Sequence, residues 1–175
     1  IGLSSCTEKG QDLATAPKEH FVFKATIEGS DQTKTTLGEY QDDGTTRSIL
    51  WEPMDSIGIS CDQWYGFDPF VNRNEYTSSV AVFEGETSAG NVHYALYPFS
   101  HEVEYYYDNY ANQREYHLNL PQKQIYSEKS FSKKSFPMVG KKYAGDEKFS
   151  FKNLCGVLVV QLTGSETVKS ITFSS

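Results

Sequence analysis

Between residues 21 and 27 the chain runs Phe-Val-Phe-Lys-Ala-Thr-Ile, with apolar residues on every second position. Phe21, Phe23, Ala25 and Ile27 take one face; Val22, Lys24, Thr26 and Glu28 take the other. A period of two is what a half-buried strand requires, because successive side chains point to opposite faces. Short strand-like runs recur along the rest of the chain, separated by turn-forming residues, at 48–51, 55–61, 78–83, 91–97, 115–120, 148–152, 155–162 and 167–173. Val157 to Val160 is continuously apolar, as expected of a central strand covered on both faces. Gly164-Ser165-Glu166 then offers a tight turn into a closing hairpin. No apolar stripe recurs at helical spacing, and no internal repeat is present. Many short strands without helices predict an all-β domain, a sandwich or a barrel.

The 175 residues suffice for one domain with its own core. Its 12 tyrosines and 11 phenylalanines suit strands better than helices. A formal net charge of −7 argues against a nucleic-acid partner, since phosphate binding needs a basic patch. The pairs Lys133-Lys134 and Lys141-Lys142 read as solvated loops. No apolar run approaches the roughly 18 residues of a membrane-spanning helix.

Chemistry-bearing motifs are scarce. The chain has no nucleophile elbow, no His-Glu-x-x-His and no glycine-rich phosphate loop. Its four histidines are scattered, and His93 falls on the polar face of its run, which predicts exposure. The segment 41–46, Gln-Asp-Asp-Gly-Thr-Thr, lacks the alternating acids of a calcium loop. The three cysteines, Cys6, Cys61 and Cys155, are too few for a disulfide scaffold and wrongly spaced for zinc. Cys61 and Cys155 read as buried thiols, with a bond between them the alternative in an oxidising compartment. No catalytic residue, metal site or cofactor is therefore assigned, and the chain reads as a non-enzyme. Two aromatic segments, 64–70 and 104–116, read as loops. They place Trp64, Tyr65, Tyr105, Tyr106, Tyr107 and Tyr110 among polar residues, where exposed rings stack on sugars or else fold back over the open end of a sandwich.

Five segments, taken in order, resemble the fimbrillin-like proteins of the Bacteroidia: WEPMDSIGIS (51–60), YALYPFS (94–100), LPQKQIY (120–126), FKNLCGVLVVQLTG (151–164) and VKSITF (168–173). One departure is Met54, where members often carry glycine before the aspartate. The resemblance implies a transthyretin-like Greek-key β-sandwich of about seven to nine strands over 20–175, with a second sandwich to follow. It implies that Leu3-Ser4-Ser5-Cys6 is a lipobox, so that 1–5 is the remnant of a signal peptide. Residues 6–19 are then a lipidated Cys6 and a flexible linker. Acyl chains on Cys6 would anchor the protein in outer-membrane lipid. Glu8 and Asp12 are too far apart to form a strong acidic export signal, and Asp55-Ser56-Ile57 matches a short glycosylation pattern inside an expected strand.

The function implied is that of a structural subunit of cell-surface fimbriae (stalk, tip or anchor) on the outer membrane, contributing to adhesion. Its partners would be other fimbrial subunits, with host or microbial glycans or proteins as ligands. Family members assemble by a form of strand donation. Here the strand to be exchanged would carry Phe21, Phe23, Ala25 and Ile27, and the processing site would be Arg47, with Lys34 as a second basic residue in the same polar stretch. A different class of function is a non-polymerising surface lipoprotein that binds glycans through the aromatic segments and keeps its first strand.

Overall fold

Eleven strands and no helix form among the residues that the computed structural model describes: 17–28, 36–40, 47–100, 103–108, 113–118, 120–125, 131–132, 135–156, 162–169 and 171–172. They are β1 (Lys18–Ile27), β2 (Thr36–Tyr40), β3 (Arg47–Leu50), β4 (Ser56–Cys61), β5 (Trp64–Asn72) and β6 (Ala81–Ser88). After these come β7 (Val92–Tyr97), β8 (Glu104–Asp108), β9 (Gln113–His117), β10 (Met138–Tyr143) and β11 (Lys148–Asn153). Seven strands close into a barrel in the order β1-β11-β10-β7-β4-β5-β6, while β2–β3 and β8–β9 form separate two-stranded sheets.

The all-β expectation holds, but the architecture is a closed barrel where a Greek-key sandwich is expected. The reason lies in β1. Eight of its residues register antiparallel with β6, from Lys18↔Ser88 to Ala25↔Ala81. Its last four register parallel with β11, from Lys24↔Lys148 to Ile27↔Phe151. One long strand thus joins both edges that a sandwich would leave open. Every other ladder in the barrel is antiparallel.

The alternation read in β1 is observed: Phe23, Ala25 and Ile27 are buried while Val22 and Lys24 are exposed. The interior is filled with aromatic rings. Trp51 is fully buried and meets Phe83, Tyr97 and Phe151 edge-on, with centroids 5.1, 5.5 and 5.1 Å away. Phe23 contacts Phe70 and Phe149 at 5.4 and 5.3 Å. Such edge and tilted contacts suit the ring quadrupole. At the β1 N-terminal end the interior turns polar, with Asp68, Thr87 and His93 buried.

Several expectations are corrected. His93 is buried, not exposed, because the inward positions of β7 are His93, Ala95 and Tyr97. The segments 64–70 and 104–116 are not loops: the first is most of β5, and the second holds β8 and all but the last residue of β9. No strand occurs in 162–169 or 171–172, where Val168 and Ile171 are exposed. A closed barrel has no free edge to pair with them. Residues 157–161, the core of the other expected strand, lie outside the described residues. Cys61 and Cys155 are both free thiols, as expected, but only Cys61 is buried and Cys155 is half-exposed.

Candidate functional site

Of the residues singled out in the sequence, those of β1 are brought into one construction. Phe21 and Phe23 stack on each other, centroids 5.4 Å apart with planes 7° from parallel, and both face the His93 ring at 5.6 and 5.2 Å. Polar contacts hold both ends of the strand. At its start the Lys18 ammonium donates to the buried Asp68 carboxylate of β5. At its end Glu28 donates its backbone N–H to the Phe151 carbonyl, and its carboxylate lies 3.2 Å from Lys152. On the outer face His20 and Arg73 both reach Glu84, at 2.9 and 2.8 Å, and together hold its carboxyl below the usual range.

Arg47 opens β3 and registers with Tyr40 of β2, so the expected processing site lies on a hairpin strand and not in a bare loop. Downstream of it Ile49 and Trp51 are buried in the barrel core, and Trp51 exchanges backbone hydrogen bonds with Ser78 at 2.9 and 3.0 Å. Cys6, Lys34 and Tyr110 lie outside the described residues. Asp55-Ser56-Ile57 is an unpromising modification site. Asp55 accepts from the Glu52 N–H at 2.7 Å and Ile57 is fully buried.

A second construction lies on the outer wall, where the ladder registers set out a grid. One row runs Ser150, Lys141, Tyr94 across β11, β10 and β7; the next runs Lys152, Val139, Leu96, Gly58 across β11, β10, β7 and β4. Leu96 is buried although it points away from the interior. Phe67 of β5 packs over this row, and a Cβ on Gly58 would stand 3.0 Å from the Phe67 Cβ and from a Phe99 ring carbon. Phe67 meets Tyr116 of β9 at 4.8 Å, which sets the β8–β9 hairpin against the barrel wall. Between them is a cavity of about 500 Å³. Its apolar side is Phe67, Tyr94, Leu96, Tyr116 and Val139, and its polar side is Glu28, Lys141, Ser150 and Lys152.

The two segments marked as aromatic in the sequence therefore do meet in space. They meet through Phe67 and Tyr116, neither of which is among the six aromatics singled out. Trp64 and Tyr65 fall at the start of β5, and Tyr105, Tyr106 and Tyr107 fall within β8. Nothing in the sequence marks Phe67, because the alternation of its strand is broken by an inward Asp. Phe67 sits one residue before the inward Asp68 and so faces outward on the same strand.

No family model, curated protein or solved structure matches this chain. Among the described residues no cluster of three or more His, Cys, Asp or Glu side chains is placed to hold a metal ion. No helix there is long and apolar enough to cross a membrane.

Proposed function

We propose that this chain is a structural subunit of a surface fibre, non-enzymatic, in which β1 is the exchangeable element. The observation that carries the reading is that β1, the first strand of the barrel in the chain, bridges β6 and β11 and can be withdrawn with the ladders among the other six strands intact. Removing it would open two edges and one apolar groove together, which is the receptor that an incoming strand needs. The placement of Arg47 fits this division. A cut after it would separate β1 and β2 from a remainder in which Ile49 and Trp51 stay buried in the core. In this reading Cys6 carries the lipid that anchors the precursor or an anchor subunit in the outer membrane, and the other partners are further copies or related subunits.

The test is N-terminal mass spectrometry of subunits recovered from native fibres. Subunits beginning at Ser48 are expected. Fibres whose subunits retain 17–47 would overturn strand exchange, and a protein that forms no fibres would overturn the structural role itself.

A further inference from the structure

The cavity on the outer wall is not used by strand exchange, and its lining is chemically specific. We propose that it binds a carboxylated saccharide, a sugar of the uronic or sialic type, as an adhesive ligand of the subunit.

Its volume of about 500 Å³ falls in the range of about 300–1,000 Å³ typical of small-molecule sites. Phe67, Tyr94 and Tyr116 supply ring faces and edges on one side. The C–H face of a pyranose packs against such rings, because it is apolar where the rim of hydroxyls is not. On the other side stand two ammonium groups and one carboxylate, an excess of positive charge in a chain that is acidic overall. Lys152 is engaged with Glu28 at 3.2 Å. Lys141 makes no ion pair among the described residues. Its Nζ stands 4.7 Å from the centre of the Tyr143 ring and 5.5 Å from that of Tyr94. It is thus a cation positioned by aromatic rings beside the cavity and available to a ligand carboxylate, a charge-assisted contact stronger than a neutral one.

Glu28 and Ser150 narrow the choice further. The Glu28 carboxylate, paired with Lys152, gains no hydrogen bond from a simple aromatic or fatty acid, which brings charge but no donors. It welcomes a molecule whose hydroxyls donate to Glu28 while its own acid pairs with Lys141. An acidic sugar has both. The site also remains largely in place if β1 leaves, since among its polar residues only Glu28 follows that strand.

The experiment uses the 175-residue chain, ¹⁵N-labelled, titrated with 3′-sialyllactose, with digalacturonic acid and with neutral lactose. Saturable shifts of the Gly140, Lys141, Ser150 and Lys152 amides are expected with at least one acid sugar. Lactose should bind at least tenfold more weakly. Lys141→Gln, a change at an exposed side chain, should weaken the acid sugar about tenfold, as loss of a charged hydrogen bond does, and leave lactose unaffected. Tyr94→Ala should weaken both. No saturable shift with either acid sugar, shifts confined to other surfaces, or equal binding by wild type and Lys141→Gln would each overturn the proposal. None of these outcomes bears on fibre formation, so this site and strand exchange can fail separately.

Discussion

At the scale of single residues, the turn before β4 carries a visible strain. Glu52-Pro53-Met54-Asp55 is closed by the Asp55 N–H donating to the Glu52 carbonyl at 3.2 Å, and Met54 has φ = 66°. Proline second and a left-handed residue third define a type II turn, whose third position favours glycine. The left-handed conformation costs a non-glycine residue about 1–2 kcal/mol, against about 0.5–1 kcal/mol of extra chain entropy for glycine. Met54→Gly should therefore stabilise the protein by about 0.5–1 kcal/mol in urea unfolding, since the exposed Met54 side chain gives up little packing. The fully buried Asn72, at the end of β5, holds this turn by donating its side-chain amide to the Glu52 carbonyl at 2.7 Å. His93 gives a second prediction. Burial pushes its imidazole below the ordinary range; the Lys142 ammonium acts in the same direction, while a hydrogen bond to the Ser88 backbone and the charge of Asp62 oppose it. With the folded pKa depressed, the unfolded chain takes up the proton first, so this contribution is complete above about pH 6.5 and is lost as pH falls below it. Wild type should lose stability between pH 7 and 5 more steeply than His93→Gln, the difference in slope not exceeding about 1.4 kcal/mol per pH unit. Parallel slopes would mean that His93 titrates alike in both states.

At the scale of elements, a strand could be read from the sequence where its inward positions are large and apolar. That describes β1, β4 and β11, and each was expected within a few residues of its observed bounds. Two strands that the sequence hid, β5 and β10, share a different cause. Inward positions of β5 include Asp68, and β10 has Gly140 between Met138 and Lys142, so neither shows an apolar alternation. Those small residues are complements of aromatic rings on neighbouring strands. A Cβ on Gly140 would stand 3.3 Å from Phe151 ring atoms, and one on Gly85 would stand 2.5 Å from the Pro69 carbonyl oxygen and 2.8 Å from Phe70 Cγ. Glycine opposite phenylalanine is thus a packing pair, and its partner is invisible without the register. The outer cavity was half legible for the same reason. Its aromatic segments stood out, while its lysines and serine come from β10 and β11, which the β7–β10 and β10–β11 ladders bring alongside. The pairs can be ranked by experiment. Gly85→Ala meets backbone and should cost about 1–3 kcal/mol, as overpacking does. Gly140→Ala meets only ring edges and should cost less, and equal losses in thermal unfolding would contradict the ring-over-glycine account.

At the scale of the whole molecule, closure by a single strand makes the barrel's stability a question of tethering. Burial of Phe23 and Ile27 contributes about 1.5–3 kcal/mol each, before the backbone ladders on both sides are counted. That is a large part of the 5–15 kcal/mol typical of a domain, so β1 does not leave an intact chain. Its binding is also intramolecular. A tethered strand presents itself at an effective concentration of about the millimolar range, so a free peptide at micromolar concentration is outcompeted by roughly a thousandfold. Cleavage after Arg47 removes that advantage without removing any contact of β1. The expected behaviour follows directly. A fluorescent peptide of residues 17–28 should not enter the uncut protein, yet it should enter the cut protein slowly, displacing the resident strand as measured by anisotropy and by mass. The same peptide with Phe23→Asp should not enter, because the 23 position is buried against Phe70, Phe149 and His93. If the uncut protein takes up the wild-type peptide as fast as the cut form, tethering is not what keeps the barrel closed. The strand would then be free to exchange before any protease acts.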